Sequence, residues 1–348
     1  MKAWTLYNIG DIRLGETEKP APKAGQALVR VTAAGICGSD IPRIYQTGAH
    51  RHPLIPGHEF SGIVEAVGEG TAPAWIGKRV GIFPLIPCKS CGPCRGQHYE
   101  MCKDYNYLGS RCDGGFAEYA LVPEWNLLEL PKGVPQDMAA MLEPMAVAAH
   151  AMRRVILSQE CRIAVIGLGT IGMFLLMLLK EAGYEKIYAV GNKDFQKRNA
   201  VSLGLGEENY CHGKKQDAVK WLMEQTGGRG ADVVFECVGR SETCLQAVEA
   251  AAPFGQIVFL GNPFSDMSFP RDIYWKILRS QLTIRGTWNS SYNKSREDDW
   301  HYVLDRIADG RIEPGRMISH RLPLEGFEEG LLIMRDKKED YGKIIVEP

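Results

Sequence analysis

Residues 163–179 run for seventeen positions without a charge, and Gly167, Gly169 and Gly172 interrupt the run near its start. Seventeen apolar residues stand at the lower limit for crossing a bilayer. The glycines point elsewhere, to a strand at 163–166, the turn Gly167-Leu168-Gly169-Thr170-Ile171-Gly172, and the start of a buried helix. The same rhythm continues from Arg162 to about Gly286, where the apolar runs IAVIG, KIYAV, ADVVFEC, GQIVFLG and LTIRG alternate with helix-length segments of mixed polarity. Such alternation predicts βαβ units on a parallel sheet. In that setting the glycines let a dinucleotide pyrophosphate lie against the backbone. The helix that follows offers unpaired N–H groups and the positive end of its dipole. A turn that only packs helix on sheet is the competing reading. The βα context favours the dinucleotide, with Gly167, Gly169, Thr170, Ile171 and Gly172 as its cradle.

The flanks of this segment differ in character. Over the first 150 residues Gly and Pro separate short strand-like runs at 27–33, 60–67 and 116–122, the pattern of a small barrel or sandwich. An amphipathic helix is expected at 298–309 and a closing strand at 343–346. A chain of 348 residues, at roughly 150 per domain, makes two domains: 1–150 joined to 288–348, and 151–287 inserted between them. The 41 Lys+Arg and 42 Asp+Glu leave a net charge of −1, which gives no electrostatic case for nucleic acid or an anionic membrane as partner. The opening residues carry one Lys, no apolar h-region and an early Asp11, so a cytoplasmic location is expected.

Five of the ten cysteines fall between residues 88 and 112. In a reducing compartment, clustering favours metal over disulfide. Cys88, Cys91, Cys94 and Cys102 follow C-x2-C-x2-C-x7-C, with Gly92, Pro93 and Gly96 letting the loop wrap. Four thiolates at this spacing close on one tetrahedral Zn²⁺ and leave no position for substrate, so that zinc would be structural. An iron–sulfur cluster or redox dithiols are the rival readings, and nothing else in the sequence suggests electron transfer.

Three shorter motifs remain: Gly35-Ile36-Cys37-Gly38-Ser39-Asp40, Pro56-Gly57-His58-Glu59 and Leu142-Glu143-Pro144. Taken singly, they read equally well as a buried Cys, a core His and a charge before proline. They occur in order with the four-cysteine lobe, with DGGFAEY from Asp113 to Tyr119, and with the glycine turn. On these residues the chain resembles the zinc-dependent medium-chain dehydrogenase/reductase superfamily over essentially its whole length. Within that superfamily it is similar to the polyol dehydrogenase branch, through Pro42-Arg43-Ile44-Tyr45, Gly48-Ala49-His50, Gly109-Ser110-Arg111 and Thr287-Trp288-Asn289.

The resemblance implies an α/β protein, with a GroES-like β-barrel catalytic domain, a Rossmann domain built on a doubly wound parallel sheet, and an open zinc in the cleft between them. Cys37 and His58 would be zinc ligands and Glu143 the third. Glu59 would stand close by and exchange with water or Glu143, and Asp40 would orient His58. The implied chemistry is hydride transfer between a secondary alcohol carbon and a nicotinamide, with zinc favouring the alkoxide. Ser39 would carry the hydroxyl proton outward. Many relatives place a His nearby, but here Ile41 and Pro42 follow Asp40, leaving His50, water or the cofactor ribose to finish the path. A sorbitol or threonine dehydrogenase-like enzyme is the alternative. A non-catalytic binding or structural relative is a further one, and it would have no need of an open metal site.

Cofactor preference turns on the end of the second Rossmann strand, where an acid ordinarily accepts from the ribose 2′-OH of NAD. This chain reads Gly191-Asn192-Lys193 there. Gly191 is expected to leave room, and Asn192, Lys193 and Arg198 to hold a 2′-phosphate, so NADP is favoured over NAD. The alternative is that Asp194, three residues after Gly191, folds back to the ribose and NAD is retained; a helix-capping role is the simpler reading of that acid. Two zinc ions per chain are expected, one catalytic and one structural. The basic residues Arg43, His50 and Arg111, with Arg51 and His52 beside them, are candidates for holding a substrate phosphate. Trp288 and Asn289 are further substrate candidates, and the expected substrate is a small polyol or polyol phosphate. The apolar edge near 282–286 is expected to pair in a homodimer or homotetramer.

Overall fold

Ala27, Leu28, Val29, Val31, Ala33 and Ala34 are buried, and Arg30 is exposed, along β1 (Gln26–Gly35) of the computed structural model, which describes residues 1–348. Four more strands of the same sheet follow before the next long helix: β2 (Glu59–Val67), β3 (Arg79–Ile82), β4 (Tyr119–Pro123) and β5 (Leu127–Glu129). Helix α1 (Leu142–Met152) leads on to β6 (Ile163–Ile166), β7 (Ile187–Gly191), β8 (Tyr210–His212), β9 (Ala231–Glu236), β10 (Ala251–Phe259) and β11 (Thr283–Gly286). Between these strands lie α2 (Thr170–Glu181), α3 (Asp194–Ser202), α4 (Ala218–Gln225), α5 (Ser241–Ala250) and α6 (Arg271–Arg279). The chain ends through α7 (Asp299–Ala308), β12 (Ile318–Pro323), α8 (Phe327–Asp336) and β13 (Lys343–Glu347). Met1–Ala146 with Ser290–Pro348 packs as one unit and Val147–Asn289 as another. The first divide therefore lies inside α1, not after residue 150.

In the first unit the strands run β12-β13-β1-β2-β3-β5, and β4 also pairs with β1. Register matters here. Antiparallel pairing sets Gly35 opposite Glu59 on β2 and opposite Ile345 on β13, so three strands meet where β1 ends. The core beneath is aromatic: Phe116 and Phe327 have ring centroids 4.0 Å apart, and Trp4 lies 5.4 Å from Phe327. The run expected as a strand from 116 becomes one only at Tyr119. Phe116 sits in a loop, its N–H bonded to Pro56 O at 3.0 Å, because its ring is needed in that core.

The second unit is an all-parallel sheet in the order β8-β7-β6-β9-β10-β11. The order reverses at β6, which makes the sheet doubly wound and puts the glycine turn at its switch point. The charge-free stretch is β6, the turn and α2, whose residues from Gly172 to Leu179 are all buried. No helix is long and apolar enough to cross a membrane.

Candidate active site

Cys37 follows the end of β1 and His58 precedes the start of β2, so the pairing of Gly35 with Glu59 brings them together. The Cys37 sulfur, a His58 ring nitrogen and a Glu59 carboxylate oxygen all lie within 4.8 Å of one another. His58 and Glu59 are buried. Glu143, in the first turn of α1, is buried too, and its Oε1 accepts from Tyr107 Oη at 3.2 Å. It stands outside the compact trio, yet its charge helps to raise both the Cys37 thiol and the Tyr107 phenol. Burial first, then the Glu59 and Asp40 carboxylates, push the Cys37 thiol well above its ordinary value. Burial also raises Glu143, with Glu59 adding to the rise and His58 opposing it. A half-buried thiol beside a buried imidazole and two buried carboxylates forms a donor set that a divalent cation stabilises, and zinc accepts all three ligand types. The residues present therefore fit a zinc ion.

Lys343 and Tyr107 are the partners that the sequence reading missed. Lys343, at the start of β13, is almost completely buried; its Nζ donates to Ile36 O at 2.9 Å and to Glu59 Oε2. A Cβ at Gly35 would lie 2.6 Å from Lys343 Cε and would also collide with Glu59 Oε2. Glycine at this strand end is what leaves room for the ion pair. The Tyr107 ring meets His58 edge-on at 5.9 Å.

Two expected roles change on inspection. Asp40 Oδ1 is 3.6 Å from His58 Nδ1, too long for a hydrogen bond, and that nitrogen is buried without a partner. Asp40 instead accepts from the Cys37 N–H at 3.0 Å and pairs with Arg43, because both lie within three residues of it on the same turn. Ser39 turns its hydroxyl to Cys37 Sγ at 3.3 Å, not into a chain toward His50. Around the rim, Arg51 pairs with Asp113 at 2.6 Å, and His52 Nε2 accepts from the Ala49 N–H at 3.4 Å. The Arg111 guanidinium lies 4.5 Å from the Tyr105 ring centroid. Burial, then the charges of Arg111 and Arg43, lower the His50 pKa, so these three basic groups share one neighbourhood.

In the cysteine lobe, Cys88, Cys91, Cys94 and Cys102 converge within 4.8 Å, with Cys88–Cys94 and Cys91–Cys102 sulfur separations of 4.0 Å. A zinc tetrahedron with Zn–S bonds of about 2.3 Å has edges of about 3.8 Å, so the four sulfurs need to move very little to hold the ion. A short helical turn, Gly92–Arg95, sets Cys94 between the others, and Lys89 and Gln97 adopt positive φ to close the loop.

In the nucleotide unit Gly167 has φ of +97°, and a Cβ at Gly172 would strike the Gly167 carbonyl. Gly169, the N-cap of α2, has open space where a Cβ would be, as a helix terminus receiving a phosphate requires. The end of β7 differs from expectation. A Cβ at Gly191 would lie 2.5 Å from Tyr210 Oη and 2.8 Å from Gln196 Oε1. The room is already filled, because Tyr210 donates to Lys193 O and Gln196 accepts from the Asn192 N–H, both at 2.8 Å. Asp194 is not a cap either. It is the first helical residue after Lys193, and its carboxylate reaches Lys215. Trp288 is 56% exposed and Asn289 has φ of +58°, at the end of this unit.

Comparison with known proteins agrees with this geometry. Residues 23–132 match the alcohol dehydrogenase GroES-like domain and residues 170–309 match the zinc-binding dehydrogenase domain. The chain belongs to the zinc-type medium-chain alcohol dehydrogenase family and is a dehydrogenase. It is 31% identical to galactitol 1-phosphate 5-dehydrogenase of Escherichia coli K12, over 95% of each chain. The crystal structure of galactitol-1-phosphate dehydrogenase from Escherichia coli superposes with a TM-score of 0.91 at 30% identity, covering 100% of both chains. L-threonine 3-dehydrogenase of Bacillus subtilis is 32% identical over 95% of this chain and 94% of its own. A zinc-binding-dehydrogenase structure from Sinorhizobium meliloti 1021, bound to NADP, gives a TM-score of 0.90 at 27% identity, covering 100% of this chain and 99% of that one.

Proposed function

We propose that this chain is an NADP-preferring polyol-phosphate dehydrogenase, oxidising a secondary alcohol of the galactitol 1-phosphate type to its ketose phosphate (tagatose 6-phosphate). It would carry one catalytic and one structural zinc per chain. The observation that carries the reading is the placing of Arg43 and Arg111 beside the Cys37–His58–Glu59 trio: Arg43 pairs with Asp40, whose carboxylate accepts from the Cys37 N–H, and the Arg111 backbone N–H donates to the carbonyl of Tyr107, whose ring meets His58. A substrate phosphate there would meet charge-assisted donors. The guanidinium of Arg43 is tied to Asp40 through one nitrogen, and its planar fork has further N–H groups for an anion.

Zinc held by Cys37, His58 and Glu143 would polarise the substrate oxygen, and the nicotinamide would accept the hydride. The chain's own residues do the rest. Lys343, anchored on the Ile36 carbonyl, holds the Glu59 carboxylate in place through their buried ion pair. Tyr107 holds Glu143 by its phenolic hydrogen bond. Ser39 keeps a proton at Oγ beside Cys37, where it can exchange with the substrate hydroxyl by a change of rotamer. Trp288 and Asn289 remain candidates for substrate contact.

A threonine dehydrogenase-like activity is the second reading, favoured by the identity to the Bacillus subtilis enzyme. A substrate panel decides between them: hexitol phosphates, free polyols including galactitol and sorbitol, and L-threonine, each with NAD and NADP. The expected result is a kcat/KM for galactitol 1-phosphate well above that for galactitol. Equal values would remove the phosphate reading and leave the dehydrogenase intact. The apolar edge strand β11 supports a further part of the proposal, a homodimer or homotetramer.

A further inference from the structure

Glu143 enters the site from the first turn of α1, where Leu142 is completely buried and Pro144 follows. The helix fixes the backbone there but leaves the carboxylate its own rotatable bonds, and that freedom must be given up when a ligand is held in one geometry. Tyr107 Oη donates to Glu143 Oε1 at 3.2 Å. A neutral phenol thus holds one oxygen and leaves the other for a cation. The tyrosine is itself well anchored. Asn106–Tyr107 pairs antiparallel with Leu85–Ile86, and the Tyr107 carbonyl accepts from the N–H groups of Arg111 and Cys112 at 2.8 and 3.1 Å. Its ring meets His58 edge-on, so one side chain touches two of the expected zinc ligands, His58 through its ring and Glu143 through its hydroxyl. Glu59 is placed differently. It lies in the compact trio with Cys37 and His58, but its carboxylate is paired with the buried Lys343 ammonium, which is tied in turn to Ile36 O at 2.9 Å. A charge-assisted bond is roughly twice as strong as a neutral one, so Glu143 is the acid more readily shared with a metal.

We propose that Tyr107 is a positioning residue for the catalytic zinc, and that its hydroxyl orients Glu143 as the carboxylate ligand. The inference rests on the catalytic zinc proposed above. A phenol keeps its proton at neutral pH and so stays a donor toward the carboxylate. Groups that hydrogen-bond a metal ligand fix its orientation, and their loss is felt in the affinity for the metal. Phenylalanine at this position would keep the ring against His58 and leave the Glu143 carboxylate free to turn. The hydroxyl is therefore the part of the side chain that acts on the metal.

The test is competition for zinc between the zinc-loaded full chain and a chromophoric chelator. The zinc that is missing from Cys37→Ser identifies the catalytic class. Tyr107→Phe is expected to lower the affinity of that class about 10- to 100-fold, the range for losing a group that hydrogen-bonds a metal ligand, with the lobe zinc unchanged. Glu143→Ala is expected to lower it as well. Tyr107→Phe in the Glu143→Ala background is then expected to cost little more, because two residues that act as one unit are not additive. A Tyr107→Phe chain that holds both zincs as tightly as the wild type overturns the proposal and leaves the catalytic zinc standing. A loss of equal size with and without the Glu143 carboxylate also overturns it, since the hydroxyl would then act through packing or another group. Thermal melting of Tyr107→Phe is expected to follow the wild type. If it falls, the double variant still decides, because a general loosening lowers the affinity in both backgrounds. A wild type that carries the lobe zinc alone overturns the catalytic-zinc reading and this inference with it.

Discussion

The Lys343–Glu59 pair shows most sharply how single residues shape this site. Both side chains are 1% exposed, and a buried charge that loses its partner costs about 3–5 kcal/mol. Lys343→Met is therefore expected to destabilise the first unit by about that amount, measured by chemical denaturation. Gly35→Ala separates the two explanations: it keeps both charges but fills the space in which they meet. It should also destabilise the protein, by forcing the pair apart. If Lys343→Met unfolds like wild type while Gly35→Ala does not, packing at Gly35 is the determinant and the ion pair is not. From the sequence, Lys343 is only the first residue of a short closing strand. Nothing local distinguishes a buried lysine from an exposed one when its partner is 284 positions away. Tyr107 was hidden for the same reason, since its partner Glu143 lies 36 positions on. The four lobe cysteines were legible because their chemistry is carried by residue type and spacing alone. Cys37, His58 and Glu143 were legible as candidate ligands only through resemblance.

At the level of elements, the parallel sheet was readable because each buried strand is a continuous apolar run, while β8 was not. Tyr210–His212 is three residues long, too short for a periodic signal, and missing it hid the basic residues that follow. The lobe between residues 88 and 102 was legible as a metal knuckle, and its sulfur separations now give that reading a geometric basis. A closed four-thiolate site contributes folding energy, whereas an open one is spent on chemistry. Changing Cys91 and Cys94 together to Ser is expected to remove about one zinc per chain and lower the melting temperature. Cys37→Ser is expected to remove a different zinc and abolish turnover with little change in melting. Metal analysis beside calorimetry checks both. Undiminished turnover in Cys37→Ser would contradict the catalytic assignment, and an unchanged melting temperature in the double variant would contradict the structural one.

Across the whole molecule, exposed apolar surface is unevenly distributed. Of the twelve large hydrophobic side chains left exposed, seven lie in residues 254–288: Phe254, Phe264, Tyr274, Trp275, Leu278, Ile284 and Trp288. That is a tenth of the chain carrying more than half of the exposed large apolar groups, which marks an interaction surface more readily than scattered single residues do. The same segment holds α6, with Tyr274, Trp275 and Leu278 on its outer side, and then β11, which pairs only with β10. A sheet edge with unpaired backbone groups and exposed Ile284 is an aggregation hazard unless another strand covers it. Pairing β11 with the same strand of a second copy satisfies those groups and can bury the α6 side chains in one step, and a two-fold axis is the simplest symmetry that achieves this. Light scattering at micromolar concentration is therefore expected to give at least twice the 38.7 kDa chain mass. Ile284→Lys places a charge on the edge and should shift the population toward monomer. A strictly monomeric wild type would overturn the assembly, and it would leave the exposed surface from Phe254 to Trp288 in need of a different partner.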